Sequence, residues 1–119
     1  MHGMQWGRLQ VNVNCQLRRG AWYRVTRLAA LNAILDVNRR SLLVPHYLIE
    51  VVANPPRRWT VVPRPPDARA LPADWGEVYG VCPSCRERVA LRGHPRRLEC
   101  RRCRGAFDVA WDEAYLAEG

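Results

Sequence analysis

Four cysteines give the chain its clearest chemistry. Between positions 82 and 103 it reads CPSCRERVALRGHPRRLECRRC, with two residues inside each cysteine pair and fourteen between the pairs. A CxxC turn lets two sulfurs face one point about 2.3 Å from a metal ion, while backbone amides past the second cysteine donate to the thiolates. Cys82, Cys85, Cys100 and Cys103 together close a tetrahedral site and leave no position for water or substrate. The spacing points to one structural Zn²⁺ per chain; iron in a tetrathiolate site, and dithiol redox or disulfide use, are the alternatives. Redox CxxC pairs usually open a helix in a βαβ setting, which nothing around these pairs suggests.

Such a site needs short strands to present it. Val89, Leu91 and Leu98 supply the apolar positions of a β-hairpin between the pairs, with Gly93-His94-Pro95 as its turn and His94 a solvated tip. Gly105 follows the second pair where a positive φ is expected, and Phe107, Val109 and Trp111 alternate as a third strand. Residues 78–113 thus read as a zinc ribbon. CPSC, the spacer and LECRRCRGAF resemble the short bacterial zinc-ribbon family, CPxC followed by CxxCxxxF, from about Val81 to Trp111. The resemblance implies that the four cysteines are the metal ligands, and Arg86 departs from it by standing where such knuckles often carry glycine. Ribbons of this kind occur in transcription and translation proteins and also as plain structural modules.

Arginines crowd the same segment. Arg86, Arg88, Arg96, Arg97, Arg101, Arg102 and Arg104 are candidate nucleic-acid contacts, with Tyr79, Phe107 and Trp111 near enough in sequence to stack on bases. The competing reading is a solvated ribbon face whose cations shield the metal site. All 19 basic residues of the 119-residue chain are arginine, a bias that weakens any argument from arginine alone, but the net charge of +8 still favours a polyanionic or acidic partner. Eleven arginines against five carboxylates up to Glu77 give +6, and eight against six thereafter give +2.

Upstream, residues 8–62 read as a small antiparallel barrel. LQVNVNC alternates as a first strand with Leu9, Val11, Val13 and Cys15 inward, which makes Cys15 a buried small hydrophobe. AWYRVTRL, AILDV and SLLVP follow, with Asn38-Arg39-Arg40 as a tight turn, and RRWTVV closes the series. RLAALNAIL also fits a helical period, a second possibility for that stretch. LLVPHYLIEVV resembles the end of SH3-like barrels, in which a 3₁₀ turn precedes the last strand. Prolines 63, 65, 66 and 72 mark 63–77 as an extended connector, and 114–119 is an acidic tail, a brief helix or a cover for the basic face. Arg18, Arg19, Arg39 and Arg40 fall in turns of the first unit and offer a second basic patch.

The fold expected is therefore mainly β, an SH3-like small antiparallel barrel followed by a C-terminal zinc ribbon. No constellation of nucleophile, base and acid stands out, so the chain is expected to work without catalysis and without a small-molecule substrate. No apolar run approaches a membrane span and no secretory signal opens the chain, which suggests a cytoplasmic protein. The partner expected is nucleic acid or a ribonucleoprotein, such as the ribosome or a transcription complex; the alternative is a protein-interaction adaptor with purely structural zinc.

Overall fold

A computed structural model describes residues 4–66 and 70–116, and it is mainly β, with no α-helix among the described residues. The chain divides into two compact units, Met1–Pro56 and Arg57–Gly119.

The first unit is one antiparallel sheet of five strands: β1 (Gln5–Leu9), β2 (Tyr23–Leu28), β3 (Asn32–Val37), β4 (Arg40–Pro45) and β5 (Ile49–Val52). Their order in space is β4-β3-β2-β1-β5, and a 3₁₀ turn at His46–Leu48 precedes β5, as the PHYL segment suggested. This is the order of an SH3-like small barrel. Alternation sets the faces: Tyr23 and Val25 on β2 and Ala33 and Leu35 on β3 turn inward, joined by Leu9, Val44 and Ile49. Asn38 and Arg39 both have positive φ, 53° and 68°, the backbone of a type I′ hairpin turn that matches the right-handed twist of β3 and β4. Ala29 closes the β2–β3 turn by donating to the Asn32 carbonyl at 2.8 Å, so RLAALNAIL is hairpin and not helix.

Two expectations fail here. The first strand lies earlier than LQVNVNC, because the Val13 amide folds back onto the Val11 carbonyl at 3.0 Å and ends extended pairing. Cys15 falls in the resulting loop and is exposed, not buried. What the pattern hid is Arg8, 4% exposed within β1. It stands opposite Glu50 in the β1–β5 register, pairs with its carboxylate at 2.6 Å, and lies 4.4 Å from the Trp22 ring centroid. A buried guanidinium is tolerable only with such partners.

The second unit is a curled half-barrel built from β6 (Arg58–Pro63), β7 (Val78–Val81), β8 (Arg88–Ala90), β9 (Arg97–Glu99) and β10 (Ala106–Val109), in the order β8-β7-β6-β10-β9. RRWTVV therefore does not close the first sheet. It is β6, the central strand of the second, antiparallel to β7 and parallel to β10, with Trp59, Thr60 and Val62 all buried. The proline-rich stretch is likewise no connector between units but the loop of the β6–β7 hairpin. Arg64 ties it: its amide donates to the Glu77 carbonyl at 2.7 Å and its guanidinium to the carbonyls of Pro72 and Gly76. Leu71, within this loop, is buried, and Ala73–Trp75 makes a 3₁₀ turn. Of the acidic tail, 117–119 lies outside the described residues, while Tyr115 is buried.

Candidate metal centre

Each cysteine pair occupies the bend of its own hairpin. CPSC joins β7 to β8, and CRRC joins β9 to β10. The two bends repeat the same hydrogen bonds. The amide of Cys82 donates to the Glu87 carbonyl and that of Cys100 to the Gly105 carbonyl, both at 2.8 Å. Four residues into each bend the chain turns back: the Arg86 amide reaches the Cys82 carbonyl at 3.2 Å, and the Arg104 amide reaches that of Cys100 at 2.8 Å. This requires a left-handed residue directly after the second cysteine, and both Arg86 and Arg104 have φ of 68°. Gly105, expected to supply the positive φ, does not. Its need for glycine is steric, since a Cβ there would lie 2.6 Å from two ring carbons of Phe107.

β8 and β9 do not pair with one another. They are the two outer strands of the sheet, so the hairpin expected between the cysteine pairs is replaced by two knuckle hairpins on a shared central strand. Curling of the sheet brings the knuckles together. The four sulfurs lie within 4.8 Å of one another, Cys82 to Cys103 at 3.7 Å and Cys85 to Cys100 at 3.5 Å. Sulfurs about 2.3 Å from a tetrahedral centre sit about 3.8 Å apart, whereas a disulfide requires about 2.05 Å, so the spacing fits metal ligation. Cys82 and Cys100 are buried, Cys85 half-buried and Cys103 exposed, and all are free thiols.

Burial pushes the Cys82 thiol up to about 12 and raises that of Cys85, while the Gly105 amide, donating to the sulfur, brings Cys103 down to about 7. A cation at the centre relieves the burial penalty by neutralising the thiolates, and the Ser84 amide, 3.4 Å from the Cys82 sulfur, supports the charge from outside. The site packs on a small core of Trp59, Leu91 and Val109. Trp59 reaches it from β6, and its indole N–H donates to the Leu98 carbonyl of β9 at 2.9 Å. Sequence reasoning missed this residue, because its strand pairs with β10 some fifty positions away.

Most of the candidate arginines are already engaged. Arg97 pairs with Asp108 at 3.1 Å, Arg104 with Glu99 at 3.5 Å, and Arg102 reaches from the second knuckle to Glu87 of the first at 4.0 Å. Arg86 is half-buried and also engaged. Arg88, half-buried on β8, and the exposed Arg96 and Arg101 enter none of the ion pairs found among the described residues. The stacking aromatics are not free either. Tyr79 is buried, Phe107 lies over Gly105, and Trp111 stacks on His94 with centroids 3.7 Å apart, its indole donating to the Pro95 carbonyl at 2.7 Å. His94 is thus a packing partner as well as an exposed tip.

Comparison of the chain with protein-family models, with curated proteins and with solved structures returned no match. The zinc-ribbon likeness therefore rests on the four-sulfur geometry. No helix among the described residues is long and apolar enough to cross a membrane.

Proposed function

We propose that the chain is a non-catalytic zinc protein that binds nucleic acid, alone or within a ribonucleoprotein, through arginine-rich surfaces. The closed four-cysteine site is structural in this reading. All four positions of the ion are filled by protein, and the ion holds two three-residue edge strands that bury little on their own. Zinc is the reading for the ion because it needs no redox partner and takes a tetrahedral set of sulfurs readily.

The observation that carries the nucleic-acid reading is a set of exposed arginines outside every ion pair found among the described residues: Arg24, Arg27, Arg39 and Arg40 in the first unit, Arg57, Arg96 and Arg101 in the second. Protein purified at low salt without nuclease is expected to carry about one zinc per chain and nucleic acid that salt removes. Iron would announce itself by visible thiolate absorption. Absence of zinc, or no nucleic-acid retention at low salt, overturns the corresponding half of the proposal.

A protein-adaptor role has one observation in its favour. Leu31 and Leu43 of the first unit are 80% and 63% exposed near one end of the β3–β4 pair, an apolar surface that nucleic acid does not need. A stoichiometric protein complex that survives high salt would favour this second role.

A further inference from the structure

Charge is shared unevenly between the two units. Met1–Pro56 carries seven arginines against Asp36 and Glu50, a net +5, while Arg57–Gly119 carries twelve against nine carboxylates, a net +3 that falls to about +1 with four thiolates around a divalent ion. The electrostatic excess belongs to the first unit and not to the ribbon whose arginines the sequence emphasises.

Within that unit two exposed arginines stand together at the β3–β4 turn: Asn38 and Arg39 are the turn residues, and Arg40 begins β4 opposite Val37. Arg24, second in β2, stands opposite Asp36 and Asp36 opposite Ser41, so alternation turns Arg24 to the other face of the sheet from Arg40. The corner's one carboxylate, Asp36, accepts the Arg39 backbone amide at 2.9 Å and holds the turn.

Arg39 itself is in the wrong conformation for its residue type. At a type I′ turn the favoured pair is Asn-Gly, and the chain has Asn38-Arg39 with φ of 68° at the arginine. The other two arginines with φ of 68° are engaged within the fold, Arg104 with Glu99 and Arg86 also with a neighbour. The Arg39 side chain enters no hydrogen bond, ion pair or ring contact found among the described residues. The chain's preference for arginine over lysine explains which base stands there, not why a base replaces glycine. Strain held without a local return points to function.

We infer that this corner, Arg39 and Arg40, grips the phosphate backbone of a nucleic acid. The inference rests on the nucleic-acid reading above and moves its main contact from the ribbon to the first unit. Phosphate suits the corner better than a protein does. Its surroundings, Asn38, Asp36 and Ser41, are polar, and the exposed leucines lie toward the other end of the same strands. A protein interface would need an apolar centre.

The test uses the full zinc-loaded chain with a short labelled DNA duplex, the matching single-stranded RNA and poly-glutamate as probes. Arg39→Gly is expected to raise the melting temperature of the first unit by about 2–5 °C while weakening nucleic-acid binding. Arg39→Gly with Arg40→Ser should weaken it about tenfold or more and flatten the slope of log K against log salt by about 2, one unit per lost phosphate contact. Arg96→Ser with Arg101→Ser should do less. If the wild type binds neither nucleic acid, the underlying reading fails and takes this one with it. If only the ribbon variant loses binding, nucleic-acid binding stands and the corner is wrong. Equal, corner-dependent binding of poly-glutamate refutes the phosphate assignment, and a lower melting temperature for Arg39→Gly removes the strain on which the inference depends.

Discussion

Trp59 connects the metal site to the rest of its unit. Its ring packs with the buried cysteines Cys82 and Cys100 and the side chains of Leu91 and Val109, and its N–H meets the Leu98 carbonyl of β9. Trp59→Phe keeps most of the bulk and removes the donor. It is expected to destabilise the metal-loaded second unit by about 1–3 kcal/mol, and Trp59→Ala by about 3–5 kcal/mol, measured by urea denaturation. If Trp59→Phe unfolds at the wild-type midpoint, the indole hydrogen bond contributes nothing. Arg8 illustrates the opposite case at this scale: a buried charge with its carboxylate and ring supplied by neighbours that the sequence places 42 and 14 positions away.

At the scale of elements, the two knuckle hairpins are one design used twice, and their thiols govern how the site responds to pH. In the metal-free site Cys82, at about 12, and Cys85, raised above its ordinary value, both hold protons at neutral pH, and Cys103, at about 7, joins them below that. The metal-bound form holds none of these protons, so binding releases them and affinity rises with pH. Competition with a chelator should show log K climbing by at least two per pH unit below neutrality. A slope near zero would mean the cysteines are not the ligands. These knuckles were legible in the sequence because every constraint on them lies within six residues: the CxxC spacing and the tight return of the chain. The Asn38-Arg39 turn and the 3₁₀ turn after Pro45 were legible for the same reason. What could not be read locally was pairing. β8 and β9 have the composition of a hairpin, yet each pairs instead with the strand across its own knuckle, and β6 joins β10 in parallel, an arrangement that leaves no turn signal between the partners. The arginines of the ribbon suggested a basic face, but the carboxylates that pair with Arg97, Arg102 and Arg104 come from neighbouring strands and bends, so only the folded chain shows how few remain free.

Across the whole molecule, the prolines that looked like a boundary are internal to the second unit, and the division falls instead just after Pro55-Pro56. The two units share no strand, and they solve the problem of small size differently. The first closes a core of Leu9, Leu17, Tyr23, Val25, Leu35, Val44 and Ile49 with no metal-ligating cluster among its described residues. The second builds its sheet around the cysteine site, with two outer strands of three residues each that carry the knuckles. Metal removal should therefore act on one unit only. In the intact chain, excess chelator at neutral pH is expected to abolish the cooperative melting of Arg57–Gly119, because structural metal in a small domain contributes about 10 kcal/mol or more. The first unit's transition and its backbone amide spectrum should stay in place. Cys100→Ser should reproduce the effect without chelator and leave less than stoichiometric metal. Loss of both transitions on chelation would show that the first sheet depends on the second, and two unchanged transitions would remove the metal from any structural role.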